Sequence, residues 1–539
     1  MALQRRVSSR QGGSRAPAPD QPRLNTALRI ITFGAALAAG AWLLYFMAVT
    51  LVMPYPIEYR EGAAQVLTQL LLAGQNPFAP QNQPLGMTNY GIVFSLAVWP
   101  LAALFGNTLL VHRLITVLFL VLSAYLVART AIGANGQTAL SVAGAELAAA
   151  ALATRGGLGG YPSSMGAFFF IAAVALPYLR RFDRRGLLLS AAASLLALYT
   201  KPYFVLGFGI VASYTFLFIS KKAGLIYTLG FGAVTAVTFF LIRSILPLYF
   251  YDTIFNNLSQ AAQNDPAHML RQLRQLAVEF LPLVVAGLLV LLAALAALTR
   301  GAAGGVRLID RRDLLALHRP VFGVQPGYFG YAALFTLLAF MLILGPHPEN
   351  YMNYAYQLVV PVSVLWLLVN LRPQRPLTRV VTPLLLINLA LFCLTRLPPS
   401  QLQQSAQSAA AWKSLYAYAE ACERPLNSPT VVPVMIRRGL WPLDSGHTQY
   451  FFGSQPSPGM RWFGASYEVV QALEARYLSS LRASVAHQEF DCIILARYSG
   501  WPRDLPLERG NYQLTDSMVV AMPQTAQTWQ MDIWVPGTE

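Results

Sequence analysis

Charged residues are scarce in this chain, which excludes an ordinary soluble protein. Asp, Glu, Lys and Arg make up only 12% of the 539 residues, whereas soluble domains carry about 25%. Hydrophobic residues reach 55% of the chain, and the mean hydropathy is +0.47. This composition is typical of a polytopic membrane protein, in which successive apolar helices cross the bilayer.

Acidic residues are scarcer than basic ones, and the formal net charge is +16. A strongly basic chain can indicate nucleic-acid binding. Here, however, the positive charge lies in short loops between apolar segments, where it sets the orientation of a membrane protein. We therefore expect no nucleic-acid partner.

Cysteine is nearly absent, and its placement excludes a zinc site and a disulfide framework. Cys393 lies in an apolar segment, whereas Cys422 and Cys492 lie in the polar C-terminal region. The latter two can form a disulfide if that region is extracytoplasmic. Two thiols alone fix no geometry, so the sequence leaves both states open.

Several nucleotide- and metal-binding motifs are also absent. The sequence contains no Walker A loop, which argues against an ATP-driven pump, and no G-x-G-x-x-G follows a predicted strand. It contains no H-E-x-x-H motif and no cluster of Cys and His. A transferase with its site outside the cell cannot use cytosolic nucleotide-sugars, so its donor must reach that side on a lipid.

Eleven apolar segments are predicted to span the membrane. Several are shorter than the roughly 20 residues of a perpendicular helix, which predicts tilted, kinked or partly inserted helices. The polar residues 1–29 are predicted to be a disordered cytoplasmic tail rather than a cleavable signal peptide. The predicted spans lie near residues 30–52, 108–128, 138–154, 162–179, 186–200, 203–220, 223–246, 279–299, 327–345, 356–371 and 380–395.

The basic residues predict the orientation of these spans. With a cytoplasmic N-terminus, the RRFDRR run at 180–185 and other clustered basic residues face the cytoplasm, as the positive-inside rule requires. Residues 30–396 then form a transmembrane module whose first outer loop is 53–107. Residues 397–539 form a small extracytoplasmic α/β domain.

Hydrophobic periodicity predicts the elements of the regions outside the membrane. Loop 53–107 is expected to hold a short helix over 58–73 and an interfacial or re-entrant helix over 91–105. The C-terminal region is expected to contain helices at 404–420 and 467–485, and strands at 430–436, 491–498, 518–523 and 529–536.

Two carboxylates, Glu58 and Glu61, follow the first apolar segment directly. A carboxylate next to lipid is costly unless it has a partner or a function. On a helix this spacing places both side chains on one face. One can accept a proton from a hydroxyl while the other orients it, binds a cation or pairs with Arg60. The alternative is a structural pair that bonds Arg60 or backbone N–H groups.

Basic groups near the predicted outer surface are candidates for binding a phosphate. Lys201 lies at the junction of two spans, and Arg113 lies at the outer end of the second span. The structural alternatives are helix capping for Lys201 and snorkelling for Arg113. The third outer loop offers a further polar cluster, for which solvated surface positions are the alternative: His347, Asn350, Asn353 and Tyr354.

This arrangement resembles the GT-C superfamily of integral-membrane glycosyltransferases. The closer resemblance is to its bacterial branch, related to protein mannosyltransferases and to aminoarabinose and arabinofuranosyl transferases. The resembling segments are EYREG with its acids, AGQNPF at 73–78, NYGIVFSLAVWPLAALFG at 89–106, HR at 112–113, KPYF at 201–204 and NYMNYAYQLVVP at 350–361. An α/β tail outside the membrane is also similar.

The resemblance implies a polytopic GT-C-like fold and an inverting transfer at the outer face of a bacterial plasma membrane. The donor would be a polyprenyl-phosphate-linked sugar in the membrane lipid, and the acceptor a glycan, lipid or protein. Glu58 and Glu61 would be the catalytic acids, with Glu58 as general base, and Lys201 and Arg113 would bind the donor phosphate. The remaining substrate contacts would come from Tyr59, Arg60, Asn89, Tyr90, His347, Asn350, Asn353 and Tyr354.

Two departures from the family pattern accompany the resemblance. Many members have Asp near the start of the fourth span, where this chain reads GGYPSSMG at 159–166. Some have Glu at the position of Gln357. No cofactor is implied with certainty, because only some members use a divalent metal between acid and phosphate.

Two other functions are compatible with the composition. A transporter of lipid-linked or small solutes would place ionisable groups at mid-membrane and show related halves. A scaffold for envelope assembly would use Glu58 and Glu61 structurally. The predicted position of the charges at the outer edge, and the lack of a visible repeat, favour the enzyme.

Overall fold

The chain is mainly helical in a computed structural model that describes residues 21–154, 157–255, 265–301, 317–322, 327–344, 352–372, 376–448, 464–497, 505, 507, 511–522 and 527–537. The helices of the first 396 residues are α1 Gln21–Val52, α2 Glu61–Leu72, α3 Val93–Phe105, α4 Leu109–Asn135, α5 Thr138–Ala153, α6 Ser163–Leu179, α7 Arg184–Thr200, α8 Leu206–Tyr214, α9 Lys221–Ile245, α10 Pro266–Glu279, α11 Leu281–Gly301, α12 Tyr328–Ala339, α13 Val360–Asn370 and α14 Pro376–Arg396. π-Helical turns follow α8 and α12 and precede α13, at Thr215–Ile219, Phe340–Leu344 and Ala355–Val359.

Local capping explains where several helices begin and end. Thr108 accepts a hydrogen bond from the N–H of Val111 at the start of α4, and Asp183 accepts one from Gly186 at the start of α7. These bonds satisfy N–H groups that have no partner within the helix. Helix α4 ends at Gly136, whose φ of +70° places it in the left-handed conformation that glycine adopts readily.

A helix lies in each of the eleven predicted spans. By length and composition, five helices of the described residues are able to cross a bilayer alone, or six when α10 and α11, bent by 87°, count as one span. Five further apolar helices are shorter. Helix α1 begins at Gln21, so residues 21–29 are helical, although the sequence predicts them as part of a disordered tail. The number of spans stays a prediction.

Several buried polar side chains of the helix bundle hydrogen-bond neighbouring helices. The Asn135 and Gln137 amides donate to the carbonyls of Leu368 and Leu371, which joins the α4–α5 turn to α13. The hydroxyl of Tyr328 on α12 donates to the carbonyl of Val174 on α6. Satisfying these groups matters because lipid offers no hydrogen-bonding alternative.

The C-terminal domain combines helices with one four-stranded sheet. Its helices are α15 Pro399–Gln407, α16 Ala409–Ala421, α17 Val432–Arg437 and α18 Gly464–Ala486, and its strands are β1 Pro425–Leu426, β2 Cys492–Ala496, β3 Tyr512–Met522 and β4 Gln527–Pro536. The strand order is β1-β2-β4-β3, with β1 and β2 parallel and the other two pairs antiparallel. The predicted α/β character is confirmed.

The predicted strand at 430–436 is wrong, because this segment forms a short turn of helix and then α17. Its β-branched residues are typical of a strand. In the structure Val432 and Ile436 pack instead against Val66 and Leu70 of α2. These residues lie four apart in each segment, so the contact selects a helical face and tertiary packing overrides the local preference.

Helix α2 and the loop before it are covered by the C-terminal domain. The ring of Tyr55 stacks on Trp412 of α16 with centroids 5.1 Å apart and planes 2° apart. Tyr59 contacts Trp529 of β4 with ring centroids 5.3 Å apart. Loop 53–107 therefore lies between the helix bundle and the C-terminal domain.

A disulfide joins Cys422, at the end of α16, to Cys492 of β2, 70 residues away in the chain. Removing a native disulfide costs about 2–5 kcal/mol, because the cross-link restricts the unfolded chain. We expect the double variant Cys422→Ser/Cys492→Ser to lose about that much stability, measured by thermal unfolding in detergent. A reductant should lower the unfolding midpoint of the wild-type chain and leave that of the variant unchanged. Equal midpoints for all four samples would contradict the prediction.

Candidate functional site

The segment between α1 and α2 carries Glu58 into the interior of the protein. The Glu58 side chain is fully buried, and both of its oxygens accept hydrogen bonds from Arg60, one from Nε at 2.6 Å and one from the backbone N–H at 2.8 Å. Burial raises the pKa of Glu58 above its ordinary value, and the Arg60 guanidinium opposes this rise. Glu58 is therefore a carboxylate with more affinity for a proton than an exposed glutamate has.

Glu61 is held by four hydrogen bonds at the start of α2. Its Oε1 accepts from Nε of Arg113 at 2.8 Å and from the N–H of Gly160 at 2.7 Å. Its Oε2 accepts from Nη2 of Arg113 at 2.8 Å and from the N–H of Ile57 at 2.9 Å. The carboxylate therefore ties together the first loop, α4 and the segment before α6.

Arg113 uses all five of its N–H donors inside the protein. Besides the two bonds to Glu61, Nη1 donates to the carbonyls of Thr50 and Met53, and Nη2 donates to the carbonyl of Tyr55. The side chain is fully buried, so it does not snorkel to the membrane surface. In this arrangement Arg113 has no donor left for a phosphate, although the sequence predicts it as a phosphate ligand.

Lys201 occupies the C-cap position of α7, and its ammonium group points into an aromatic enclosure. Nζ donates to the hydroxyl of Ser163 at 2.8 Å and lies 4.3 Å from the centroid of the Tyr90 ring. The rings of Tyr161 and Tyr203 lie 5.6 and 5.7 Å away. Lys201 is only 7% exposed, so a phosphate bound there would meet a cation with little competing water.

Arg60 brings the first loop and Lys201 into one electrostatic cluster. Its guanidinium lies 5.1 Å from the centroid of the Tyr161 ring, and Arg60 and Glu58 both interact electrostatically with Lys201. Because Glu61 is neutralised by Arg113, the cluster contains the cations Arg60 and Lys201 and the single carboxylate Glu58. Two basic side chains therefore lie close to one carboxylate in this cluster.

Two glycines permit the close approach of the segments that form this cluster. The N–H of Gly91 donates to the carbonyl of Thr200 at 3.0 Å, and a Cβ on Gly91 would lie 1.8 Å from the carbonyl oxygen of Tyr199. A Cβ on Gly160 would lie 2.6 Å from Cβ of His112. Only glycine therefore allows Tyr90 to lie beside Lys201 and the Gly160 N–H to reach Glu61.

The C-terminal domain contributes a buried histidine to the same enclosure. Nδ1 of His447 hydrogen-bonds the hydroxyl of Thr88 at 3.1 Å, and its ring meets the Tyr90 ring edge-on at a centroid distance of 4.7 Å. Burial lowers the pKa of His447 well below its ordinary value, and the nearby Arg60 and Lys201 lower it further. The imidazole is therefore neutral at physiological pH.

The other predicted substrate contacts lie at different distances from this cluster. Tyr354 packs edge-on against Tyr203 with ring centroids 4.5 Å apart, so it touches one wall of the Lys201 enclosure. Asn89 and Asn353 are half-buried, and Asn89 adjoins Tyr90 in the chain. His347 and Asn350 lie outside the described residues.

The carboxylates do not fit a divalent metal ion. All four oxygens of Glu58 and Glu61 accept hydrogen bonds, and the guanidinium groups of Arg60 and Arg113 lie where a cation would bind. Within the described ranges, three metal-ligating side chains cluster only at Cys422, Asp491 and Cys492, where the two cysteines are joined to each other. Glu58 and Glu61 are therefore paired with guanidinium groups rather than arranged as metal ligands.

Sequence reasoning missed three contributors to the enclosure. Tyr161 and Ser163 lie in the segment 159–166, where the sequence shows only that the Asp of many relatives is replaced. Only the position of this segment in the folded chain, next to Lys201, would have identified Tyr161 and Ser163. No sequence signal points to His447, because it lies 359 residues from Thr88.

No protein-family model and no curated protein matches this chain. Among solved structures, the chain is similar to ArnT from Cupriavidus metallidurans bound to undecaprenyl phosphate. The two proteins are 14% identical, with a TM-score of 0.51, and the match covers 94% of this chain and 99% of the other. The chain therefore has the fold of this ArnT structure, with several apolar helices and a C-terminal α/β domain, as the sequence predicts.

Proposed function

We propose that this protein transfers a sugar from a polyprenyl-phosphate-linked donor to an acceptor hydroxyl, with inversion at the anomeric carbon. The observation that carries the proposal is one buried carboxylate, Glu58, in the same enclosure as two cations, Arg60 and Lys201. The fold supports it, because the similar ArnT structure is bound to undecaprenyl phosphate.

The proposed reaction breaks one bond and forms another at the same carbon. Glu58 accepts the proton of the acceptor hydroxyl, and the resulting oxygen nucleophile attacks the anomeric carbon of the donor. The bond from that carbon to the phosphate oxygen breaks, and polyprenyl phosphate leaves with the bonding electrons. Lys201 and Arg60 stabilise the negative charge that develops on the leaving phosphate.

The contacts divide the predicted acids and bases into two roles. Glu58 and Lys201 keep the roles predicted from the sequence, as general base and phosphate ligand. Glu61 and Arg113 are assigned a positioning role, because their hydrogen bonds are all made within the protein. Arg113 fixes Glu61 and the backbone around residues 50–55, and this in turn fixes the segment that carries Glu58.

The enclosure is assigned to the outer face of the plasma membrane. The distribution of Arg and Lys among the loops supports this orientation. The disulfide between Cys422 and Cys492 also supports it, because such bonds persist in oxidising compartments. The assignment keeps the domain limits read from the sequence, with residues 30–396 as the transmembrane module and 397–539 outside.

Replacing Lys201 by Met should weaken binding of the lipid phosphate about 10- to 100-fold. A hydrogen bond to a charged group contributes about 1.5–3 kcal/mol, and each 1.4 kcal/mol corresponds to tenfold in affinity. Affinity is measured by titrating the purified full chain with undecaprenyl phosphate. Turnover is measured separately, as the release of polyprenyl phosphate from a panel of labelled polyprenyl-phosphate sugars.

Lys413→Met provides the matched control, because Lys413 is an exposed lysine of α16 in the C-terminal domain. It should bind undecaprenyl phosphate as the wild type does. Equal affinity in Lys201→Met and the wild type would remove Lys201 from the phosphate site. Failure of the wild-type chain to use any polyprenyl-phosphate sugar would overturn the proposed activity.

A further inference from the structure

A cleft of about 230 Å³ lies between loop 53–107 and the C-terminal domain. One wall consists of Gln75 and residues 81–85 of the loop, and the other of Trp441, residues 442–443 and Tyr477 of the domain. The volume is below the range of about 300–1,000 Å³ found for drug-sized ligands. It suits a single small ring better than an extended chain.

The lining of this cleft is uncharged and combines amide, aromatic and aliphatic side chains. None of its residues carries a formal charge at neutral pH, and the polar side chains on the loop wall are all amides: Gln75, Gln81, Asn82 and Gln83. Trp441 is a large aromatic side chain that is nevertheless 41% exposed. Amides that donate and accept hydrogen bonds, next to an exposed flat ring, match the hydroxyls and the apolar face of a sugar.

Gln83 is held in place behind the wall of the cleft by the hydrogen bonds of its amide nitrogen. Its Nε2 donates to Oδ2 of Asp252 at 3.0 Å and to the carbonyl of Pro77 at 3.3 Å, which uses both amide hydrogens and sets the orientation of the group. The side chain is only 8% exposed, and no group among the described residues donates to its Oε1. These bonds anchor the loop wall, and the amides left to meet a ligand are those of Gln75, Gln81 and Asn82.

Two chain segments lead from the cleft to the enclosure around Lys201. Leu443 lines the cleft, and His447, four residues later, contacts Tyr90. Four residues span at most about 14 Å. On the other side, Gln83 lines the cleft and Thr88, five residues later, bonds His447. The turn between Leu443 and His447 is fixed, since Asp444 accepts the N–H of Gly446 and Thr448 accepts the N–H of Ser445.

We propose that this cleft binds a neutral sugar residue of the acceptor, so that the acceptor of the proposed glycosyl transfer is a glycan. This inference rests on the proposed function and names its acceptor class. The absence of charge in the lining does not match a phosphate or an acidic peptide. Lys201 and Arg60 offer the donor phosphate a separate site, so the acceptor is the better occupant of a cleft on the side of the C-terminal domain.

The test uses the full-length chain in detergent and a panel of free neutral oligosaccharides that covers hexoses, N-acetylhexosamines, deoxyhexoses and pentoses. Binding is measured without donor. We expect saturable binding of at least one neutral oligosaccharide, weakened at least tenfold by Trp441→Ala and by Gln81→Ala. Trp441→Phe should retain most of the affinity, because it keeps the ring.

Trp99→Ala is the matched control, since Trp99 is 44% exposed on α3 and does not line the cleft. It should bind as the wild type does. Binding of no neutral oligosaccharide, binding of acidic sugars only, or wild-type affinity in both Trp441→Ala and Gln81→Ala would overturn the proposal. These binding results are independent of donor turnover. A negative result for acceptor binding at the cleft is therefore distinguishable from a negative result for the proposed sugar transfer.

Discussion

Replacing Glu58 by Gln should lower kcat about 100- to 10,000-fold, because a general base typically contributes that much. Glutamine has nearly the same shape, but it cannot accept the proton of the acceptor hydroxyl. The measurement is sugar transfer by the purified chain from its polyprenyl-phosphate donor. Binding of undecaprenyl phosphate should change far less than kcat, because Lys201 and Arg60 are retained.

The pH profile gives a second readout of the same group. A general base acts when deprotonated, so kcat should rise with pH through the pKa of Glu58. Because burial raises that pKa, the rise should lie above the ordinary glutamate value of 4.5. Glu420→Gln, which alters an exposed glutamate of α16, should retain full activity and the same profile. Normal turnover by Glu58→Gln would refute the mechanism.

Replacing Glu61 by Gln should destabilise the protein by about 3–5 kcal/mol. The substitution leaves the Arg113 guanidinium buried without its counter-charge, and breaking a buried ion pair on one side has about that effect. Both side chains are fully buried, so water cannot compensate. Thermal unfolding in detergent, followed by the fluorescence of the chain's tryptophans, measures the loss.

The exposed pair Arg437 and Glu420 is the matched control. Its atoms approach to 2.7 Å, but both side chains are more than half exposed. Such pairs contribute about 0–1 kcal/mol, so Glu420→Gln should scarcely change the unfolding midpoint. A double-mutant cycle of Glu61→Gln with Arg113→Gln should show strong coupling. Additive losses, or a loss no greater than that of the control, would show that the pair does not fix the first loop.

The transmembrane helices were predictable because their signal is local. A run of about 20 apolar residues has few alternatives to a membrane helix, and capping residues such as Thr108 and Asp183 mark its start. The strands at Cys492–Ala496 and Gln527–Pro536 were also predictable from apolar and β-branched runs. The segment 430–436 was not, because its conformation depends on contact with α2, which lies more than 350 residues earlier.

The candidate site was predictable only in part, for a related reason. The position of Glu58 and Glu61 beside lipid marks them as unusual from sequence alone. The different roles proposed for them follow from Arg113, whose five hydrogen bonds reach residues more than 50 positions away. Spacing cannot show which of two acids such a partner will neutralise. Ser163, Tyr161 and His447 join the cluster through folding alone.

The stacking of Tyr55 on Trp412 and of Tyr59 on Trp529 has a consequence for how such chains diversify. These pairs join the first loop to residues that lie more than 350 positions later in the chain. Recombination that exchanged only the last quarter of the coding sequence would therefore replace Trp412 and Trp529 while keeping loop 53–107 and Lys201. Under the proposed function, such an exchange would alter the acceptor side of the site and keep its donor side.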